Sequence, residues 1–419
     1  MHIKGKQSCK MKLEKGIPLI DQHDENGYWG GKFGGNQIAE SLNYPIEELT
    51  REFEKLRNDE TFIAERDYYF KNFVGAPTPF IKLENLTKHL GGAQIYCKLV
   101  SKATGGAHKA YNAVVHSLIC KRLGKTYIGG DTGAGYAGKM LSMAAAKFNL
   151  KCKIFMGAKD VERQSINVFS MRSYGAEVVP VNSGSQTLVD AVSECMRWWT
   201  SENEEAHMCV GSTVGPTIFV KICAWSTAQI SREMKKQVID EFGEVPKDMK
   251  LINCVGGGSS AAGFWNEWID HDNIELIGVE AGGPEGSSKH AAPLTNDSPI
   301  GVLHGATQYV IQDDQGEIEE TESISAGLDY PGVSPLHCFL KETGRARYTS
   351  ASDEEAIEAS QLVSKNEGFV SPSLEPSHAF AEAIKIAPKL SKDTIIVVDS
   401  CGDSAKDSKI IAERLGYKI

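Results

Sequence analysis

The sequence predicts an α/β protein with two three-layer α/β/α domains and mostly parallel sheets. Two observations support this fold class. The chain has 419 residues, which is too long for one compact core of ordinary size. From residue 94 onward, strand-like apolar runs alternate with amphipathic segments of helical length. Such alternation is typical of parallel strands covered by helices on both faces. We place a domain boundary near residue 225, which divides the chain into residues 1–225 and 226–419.

The predicted elements follow one another in a regular order. Residues 1–50 are rich in loops, a helix runs from Pro45 to about Asp67, and residues 72–78 form a turn. Strands are predicted near residues 94–99, 126–130, 152–157, 176–181, 249–255, 275–280 and 393–399. Helices are predicted at residues 107–123, 135–149, 161–174, 187–202, 219–243, 353–367 and 376–389. Residues 284–334 form a long irregular stretch, and a loop of this length in a compact domain is usually functional.

Composition excludes several classes of protein. A net charge of −10 and a pI near 5.7 argue against a nucleic-acid surface. No run of 18 apolar residues occurs, and residues 1–16 are basic but lack the apolar region of a secretory signal. The ten cysteines include no C-x-x-C pair, which argues against a zinc site and favours the reducing cytoplasm. Cys401 differs from the others, because it lies in a loop of Gly, Asp and Ser that we expect to face the site.

A lysine and a glycine-rich loop follow two different predicted strands. Lys109 ends the segment G-G-A-H-K after the run at 95–99, and residues 256–260 read G-G-G-S-S after the run at 251–255. Ligands of parallel α/β sheets bind at the carboxyl ends of the strands. Glycines that open a helix can hold a phosphate through backbone N–H groups. A lysine amine can form a Schiff base, so the two elements together indicate pyridoxal phosphate (PLP).

Neither element is specific alone. Most lysines are solvated surface groups, and a glycine turn is more often a tight connection than a phosphate site. A dinucleotide is a weaker alternative, because residues 256–261 read G-G-G-S-S-A rather than G-x-G-x-x-G. No acidic ribose-binding signal follows this loop at the expected distance.

Several longer segments carry a family resemblance. They are G-A-P-T-P at 75–79, G-A-H-K at 106–109, T-G-A-G at 132–135, M-G-A-K-D-V-E-R-Q at 156–164, G-G-G-S at 256–259, G-V-E-A-G-G at 278–283 and S-I-S-A-G-L-D-Y-P-G at 323–332. Through these segments the chain resembles the β chain of tryptophan synthase, a fold-type II PLP enzyme. The resemblance runs from about residue 27 to 410.

The resemblance implies roles for matching residues. The catalytic residues would be the Schiff-base lysine Lys109, Asp131 and, at the β-substituent of the substrate, Asp329. The cofactor would be held by His108, Gly257, Gly258, Ser259 and Ser260 at the phosphate, Glu375 beside the ring and Ser400 at the pyridine nitrogen. The amino-acid carboxylate would be bound by Thr132, Gly133, Ala134, Gly135 and Tyr136. A monovalent cation, K⁺ or Na⁺, would be bound by the carbonyls of Val255, Gly256, Tyr330 and Gly332.

The resemblance also implies the chemistry and the organisation of the chain. The expected reaction is β-replacement on L-serine or a similar amino acid through an aminoacrylate. A hydroxyl at the ring nitrogen makes the ring a weaker electron sink than a carboxylate would, which favours loss of the β-substituent over racemisation. The alternatives are β-elimination of the serine or threonine deaminase type, ordinary tryptophan synthase activity, and a catalytically inactive PLP-binding protein. We expect a mobile subdomain at about 124–212 and packing of part of 50–90 with the second domain.

The chain departs from the family pattern near the expected site. Asp131 stands where the family has glutamate, and Tyr136–Ala137 stand where it has Gln–His. Tyr111 replaces an asparagine, Ser260 replaces another, and residues 98–102 read K-L-V-S-K rather than K-R-E-D-L. A carboxylate one methylene shorter changes proton-transfer geometry. These changes favour a second substrate other than indole, although compensated drift is an alternative.

Two further departures concern the partner chain. Val189 replaces a lysine that the family uses to communicate with the α chain. Residues 215–220 read G-P-T-I-F-V where the family has G-P-H-P-Y-P. The resemblance implies a homodimer, and these two departures predict that its coupling to an α chain is weakened or absent.

Overall fold

The structure, a computed structural model, describes residues 11–417. Cys9 and most of the basic segment at residues 1–16 lie outside this range, so the structure does not bear on the predictions for them. The strands, numbered in chain order, are β1 (Tyr28–Trp29), β2 (Phe33–Gly34), β3 (Phe80–Lys82), β4 (Gln94–Lys98), β5 (Tyr127–Thr132), β6 (Lys151–Gly157), β7 (Glu177–Val181), β8 (Ala206–Cys209), β9 (Met249–Cys254), β10 (Ile274–Ala281), β11 (Ile300–Leu303), β12 (Ala306–Tyr309), β13 (Ala346–Ala351) and β14 (Ile395–Asp399).

The helices surround these strands. They are α1 (Asn43–Leu56), α2 (Glu60–Tyr69), α3 (Glu84–Leu90), α4 (Lys109–Arg122), α5 (Tyr136–Phe148), α6 (Ala158–Arg163), α7 (Ser165–Ser173), α8 (Leu188–Glu202), α9 (Thr217–Thr227), α10 (Gln229–Phe242), α11 (Ser259–Trp265), α12 (Pro335–Glu342), α13 (Asp353–Glu367), α14 (Leu374–Ile386) and α15 (Ser408–Arg414). Within residues 11–417 we find no helix with the length and apolar character needed to cross a membrane.

Two mainly parallel sheets form the frame of the molecule. The larger has six strands in the order β13-β10-β9-β14-β4-β3, and only β3 runs antiparallel to its neighbour. The smaller, hereafter the four-stranded sheet, has four parallel strands in the order β7-β6-β5-β8. Helices cover both sheets, so the α/β/α fold class is confirmed.

A third sheet was not predicted. It is antiparallel, in the order β1-β2-β12-β11, and it joins the loop-rich start of the chain to the long stretch at 284–334. The stretch is therefore not wholly irregular, because β11 and β12 form a hairpin inside it. Its strands are only two to four residues long, which leaves too little alternation for a sequence pattern to reveal.

Three predicted helices are each two helices in the structure. The helix predicted from Pro45 to Asp67 breaks at Asp59, whose carboxylate caps α2 by accepting from the N–H groups of Thr61 and Phe62. The segment 161–174 breaks at Gln164, which has non-helical φ and ψ of −119° and 35°. The segment 219–243 is divided at a single residue, Ala228.

Strands from both halves of the sequence share the six-stranded sheet. β3 and β4 precede residue 225, yet β4 pairs with β14. The four-stranded sheet spans residues 127–209, and residue 225 itself lies inside α9. The division at 225, the packing assigned to residues 50–90 and the mobility of residues 124–212 stay predictions.

Candidate active site

The two parallel sheets direct the carboxyl ends of their strands toward one cavity. The cavity brings together most of the residues singled out in the sequence, namely His108, Lys109, Asp131, Thr132, Gly133, Ala134, Tyr136, Gly256, Gly257, Gly258, Ser259, Ser260, Tyr330 and Glu375. Five others do not line it, namely Gly135, Val255, Asp329, Gly332 and Ser400. The residues predicted from the rule that ligands bind at strand ends therefore lie together at one cavity, which is the candidate site.

Lys109 lies between the two sheets. It begins α4, and its Nζ donates to the carbonyl of Gly211, which follows β8, at 2.6 Å. The same amine donates to Oγ of Ser259, at the start of α11, at 2.8 Å. The amine is thus held within reach of both the glycine-rich loop and the loop after β8.

His108 connects the lysine segment to the glycine-rich loop. Its Nε2 lies 2.9 Å from Oγ of Ser259, and its backbone N–H donates to the carbonyl of Cys401 at 3.2 Å. Burial, reinforced by the charge of Lys109, lowers the pKa of His108 to about 3. The imidazole is therefore neutral and contributes hydrogen bonds rather than charge.

The backbone of the glycine-rich loop is held by side chains from elsewhere in the chain. Gly258 has φ of +90°, and a Cβ there would lie 2.2 Å from Cδ2 of His337. His337 Nε2 lies 2.8 Å from the Gly258 carbonyl, and Thr213 Oγ1 donates to the Gly257 carbonyl at 2.9 Å. A Cβ at Gly257 would lie 2.5 Å from Oγ of Ser212, so neither glycine leaves room for a side chain. Together with the Ser259 hydroxyl and the Lys109 amine, this loop forms a donor set that suits a phosphate beside a reactive aldehyde.

Asp131 and Thr132 are the last two residues of β5, and both line the cavity. Within residues 11–417, neither Asp131 Oδ1 nor Thr132 Oγ1 has a hydrogen-bond partner. Burial raises the pKa of Asp131 to about 6, although a backbone hydrogen bond from Gly211 and the charge of Lys109 oppose the rise. Buried polar atoms without partners are rare in proteins, so these two atoms are candidates for contact with a ligand.

The loop after β5 turns sharply into α5. Gly135 has φ of +87°, and a Cβ there would lie 2.6 Å from Cβ of Asn167. Tyr136 follows, and its hydroxyl donates to the carbonyl of Asp403 at 2.5 Å. A Cβ added at Gly106 would lie 3.8 Å from the Tyr136 ring, and one added at Gly402 would lie 3.5 Å from it. This tyrosine therefore joins the end of the four-stranded sheet to the segment after β14.

Glu375 opens α14 in a network of its own. Its carboxylate accepts from Ser373 Oγ at 2.6 Å and from the N–H of Gly327 at 3.1 Å, and it lies 2.9 Å from Lys406 Nζ. Burial opposes ionisation, but the charge of Lys406 and the Ser373 hydrogen bond hold the pKa of Glu375 at about 2. Glu375 is therefore a fixed negative charge on the cavity wall.

Ser400 and Ser260 occupy less direct positions than the resemblance implies. Ser400 is 1% exposed, and its Oγ donates to Oγ of Ser101 at 3.4 Å. The hydroxyl of Ser260 donates to Oδ2 of Asp399 at 2.6 Å, which directs it toward the interior. Contact of Ser400 with a pyridine nitrogen and of Ser260 with a phosphate stay predictions.

Asp329 lies in a neighbouring cleft. It accepts from Thr321 Oγ1 at 2.7 Å, and Arg163 Nη2 lies 3.6 Å from its carboxylate. Burial raises the pKa of Asp329. Its contact with the substrate, and cation binding by the carbonyls of Val255, Gly256, Tyr330 and Gly332, stay predictions.

Sequence reasoning missed several residues that support the site. They are Ser212, Thr213, His337, Ser373 and Lys406. Ser212 and Thr213 follow β8, so recognition of that strand would have indicated them. His337 and Lys406 give no local signal, because their partners lie far away in the sequence.

Comparisons with known proteins agree with this geometry. The sequence pattern described as "PALP: Pyridoxal-phosphate dependent enzyme" matches residues 72–402. The chain is thus one of the pyridoxal-phosphate dependent enzymes, and PLP is its cofactor. Its relatives then narrow the family. A tryptophan synthase beta chain from Ruegeria sp. (strain TM1040) is 46% identical over 398 residues, which cover 94% of each chain. The protein belongs to the tryptophan synthase β chain family.

Other relatives give the same assignment. Tryptophan synthase beta chains from Ruegeria pomeroyi and Roseobacter denitrificans are each 44% identical, and each match covers 94% of this chain. The matches cover 94% and 96% of those relatives. Among solved structures, a PLP-dependent aspartate racemase superposes with a TM-score of 0.59 at 15% identity. That match covers 82% of this chain and 94% of the racemase. It supports the fold alone.

Proposed function

We propose that the protein catalyses β-replacement on L-serine, exchanging the β-hydroxyl for an apolar nucleophile. The observation that carries this proposal is Asp131. It is a buried carboxyl with a pKa near 6 and a free Oδ1, in the same cavity as Lys109. A group that titrates near neutral pH can donate a proton to a leaving hydroxyl and then accept one from a nucleophile.

The other residues divide into binding roles. The loop at 256–260 and His108 hold the cofactor phosphate, and Lys109 attaches the cofactor covalently. Thr132 and residues 133–136 hold the substrate carboxylate, since Thr132 Oγ1 is unpaired at the cavity. Once bound, PLP supplies the electron sink that labilises bonds at the substrate's Cα and Cβ. The proposal also places Asp329 at the β-substituent of the substrate, Glu375 beside the pyridine ring of the cofactor and Ser400 at the ring nitrogen.

The wall beside Asp131 favours an apolar second substrate. Ala137, Leu188, Val192 and Val214 line the cavity with it. An apolar nucleophile with an ionisable N–H, S–H or O–H would lose water contact there and transfer its proton to the carboxylate. We propose that indole is not preferred, because Asp131 is shorter than the family's glutamate and Tyr136–Ala137 replace Gln–His.

The assembly is part of the same proposal. We propose a homodimer, as the family resemblance implies, and we propose that it works without an α chain, chiefly because Val189 stands where the family has a lysine. Only Val189 bears on an accessible contact, because the side chains of Thr217, Ile218, Phe219 and Val220 are buried in this chain. A cytoplasmic location and a monovalent cation at the carbonyls named above are also proposed.

The test is product identification. PLP-loaded protein is incubated with L-serine and, separately, with indole, thiols, phenols and carbon acids, and amino-acid products are identified by mass. Replacement products, largest with a nucleophile other than indole, are the expected result. Tryptophan as the dominant product would make it an ordinary tryptophan synthase. Pyruvate and ammonia alone would indicate β-elimination, and no turnover would indicate an inactive PLP-binding protein.

Lys109 provides an independent test of the site. Lys109→Ala should abolish covalent attachment of PLP after borohydride reduction, together with turnover. Lys139→Ala is the matched control, because that partly exposed lysine lies on the neighbouring helix α5 and outside the cavity lining. A borohydride-stable adduct in the Lys109→Ala protein would place the attachment elsewhere.

A further inference from the structure

Two cysteines meet on the wall of the cofactor cavity. Cys254 is the last residue of β9, and Cys401 lies two residues beyond β14, the strand next to β9. Their sulfur atoms are 3.6 Å apart, and both residues line the cavity. They are 5% and 4% exposed, so their contact with the outside is through this cavity. Among residues 11–417, no other two cysteine sulfurs form a hydrogen bond with each other.

We propose that Cys254 and Cys401 are a redox modification site, which hydrogen peroxide converts to a disulfide when the cavity lacks PLP. The proposal rests on the cofactor alone and is independent of the second substrate. A disulfide needs a sulfur–sulfur distance of about 2.05 Å. The required approach is therefore about 1.5 Å, within the range of side-chain rotation at two strand ends.

The two thiols have different parts in the reaction. The hydrogen bond with the Cys401 sulfur, together with burial, raises the pKa of Cys254 well above its ordinary value. Cys254 therefore remains a thiol, and attack on the oxidant falls to Cys401. The Cys401 sulfur takes one peroxide oxygen as the O–O bond breaks, which gives a sulfenic acid and one water. The Cys254 sulfur then attacks the Cys401 sulfur, the S–O bond breaks, and the departing hydroxide takes the Cys254 proton as a second water. Two thiols lose two electrons, and one peroxide is reduced to two waters.

The disulfide and the cofactor should exclude each other. Cys254 leads directly into the loop at 256–260, and the Cys401 carbonyl accepts the N–H of His108. His108 in turn contacts Ser259. A shift of either strand end toward the other therefore disturbs both the loop and the histidine that hold the phosphate. Conversely, PLP held by Lys109 and the loop at 256–260 would cover the cavity wall through which peroxide must reach the sulfurs.

The experiment compares the protein with and without PLP. Both forms are treated with hydrogen peroxide, blocked with a thiol reagent and digested without reductant, and linked peptides are measured by mass. We expect a 254–401 linked peptide in the PLP-free protein, its formation slowed on the order of tenfold or more by bound PLP. Oxidised protein should fail to bind PLP, as measured by cofactor absorbance, and dithiothreitol should restore binding.

Variants separate this site from general oxidation. Cys401→Ser should remove the linked peptide, whereas Cys152→Ser should not, because Cys152 lies on β6 outside the cavity lining. Absence of the 254–401 peptide from PLP-free wild type would overturn the proposal. So would equal rates of formation with and without PLP, or undiminished PLP binding by the linked protein. These readouts require no turnover, so they are independent of the proposed reaction.

Discussion

Asp131 and Asp399 are two buried aspartates at the ends of two different sheets. Asp131 lies near the end of β5 in the four-stranded sheet, and Asp399 ends β14 in the six-stranded sheet. Burial is the main influence on both, raising the pKa of Asp131 to about 6 and that of Asp399 to about 7. By burial and pKa alone, either would qualify as a catalytic acid.

Their surroundings distinguish them. Oδ2 of Asp399 accepts from Ser260 at 2.6 Å and from Asn253 at 3.0 Å, and Asp399 does not line the cavity. Among residues 11–417, Oδ1 of each aspartate has no hydrogen-bond partner, but only Asp131 lines the cavity. A raised pKa therefore indicates chemistry only where a ligand can reach the group. Asp399 is also buried, but in the six-stranded sheet its carboxylate contributes to internal hydrogen bonding rather than to chemistry.

The structural character of that region extends to its neighbours. Lys98 is fully buried, and its Nζ lies 2.7 Å from a carboxylate oxygen of Glu233 and donates to the Thr78 carbonyl and to Gln237. All three ammonium protons therefore have acceptors. Asp399 on β14 pairs with Lys98 on β4, and it accepts a hydrogen bond from Asn253 on β9, so the three residues form a row across three adjacent strands.

The largest expected effect is the loss of stability when the buried ion pair of Lys98 and Glu233 is broken. Glu233→Ala leaves the Lys98 charge buried without a counter-charge, which should lower the free energy of unfolding by about 3–5 kcal/mol. Urea denaturation measures it. Glu194→Ala, which removes the partner of exposed Arg197, should change stability by no more than about 1 kcal/mol. Similar losses in the two variants would contradict a structural role for the buried pair.

The next effect concerns chemistry at the other sheet. Asp131→Asn should lower turnover by about 10²-fold or more while covalent PLP attachment is kept. Asp131→Glu, which restores the family's residue, is the control and should retain much of the activity. Adding Tyr136→Gln and Ala137→His to Asp131→Glu should shift preference toward indole. Turnover of the Asn variant within tenfold of wild type would remove Asp131 from the mechanism.

The pH dependence of stability should differ between the two aspartates. A carboxyl whose pKa is raised in the folded chain holds its proton there and loses it in the unfolded chain. The folded state then binds more protons between pH 3.8 and about 7 for Asp399, and between 3.8 and about 6 for Asp131. Stability conferred by each group therefore falls as the pH rises through its window and is level above it.

Asparagine variants isolate these contributions. The difference in free energy of unfolding between wild type and Asp399→Asn should fall up to about pH 7, whereas for Asp131→Asn it should level near pH 6. Denaturation at several pH values in one buffer series measures both. A difference that rises with pH, or identical windows, would contradict the assignment.

A smaller effect is expected where the two regions meet. Tyr136→Phe removes the hydroxyl that donates to Asp403, which should cost about 0.5–1.5 kcal/mol of stability. Turnover should change by less than about tenfold, because the ring remains. Tyr174→Phe, on an exposed tyrosine, is the control. A loss of turnover as large as that of Asp131→Asn would show that the Tyr136 hydroxyl takes part in the chemistry.

The smallest expected effect is that of an α chain. Turnover and substrate affinity of the isolated protein should be unchanged by adding an α chain from the same organism, and the particle in solution should have the mass of a homodimer. Coupling of about 1–3 kcal/mol would instead appear as roughly a 5- to 150-fold change in affinity. Such a change in affinity, or a stable α–β complex, would contradict this prediction and favour the assignment of the protein as an ordinary tryptophan synthase β chain.

The sequence predicted those parts of the candidate site that depend on local pattern. Lys109, Asp131 and the loop at 256–260 were predictable because each follows an apolar run that becomes a parallel strand. The hydrogen bond from Ser260 to Asp399 and the support of Gly258 by His337 join residues 139 and 79 positions apart. No local pattern encodes such distances. The strands β8 and β13 were missed because one has four residues and the other is largely polar.

The row formed by Lys98, Asp399 and Asn253 also bears on how the chain selects its fold. Their neighbours Cys97, Val398 and Ile252 point to the opposite face of the sheet, into an apolar core. Slipping any of these strands by one residue would exchange the two faces and place a charge or an amide among those apolar side chains. Misaligned pairings are thereby penalised, whereas apolar residues at all six positions would tolerate them. The row of buried polar residues thus fixes the register in which β4, β14 and β9 pair.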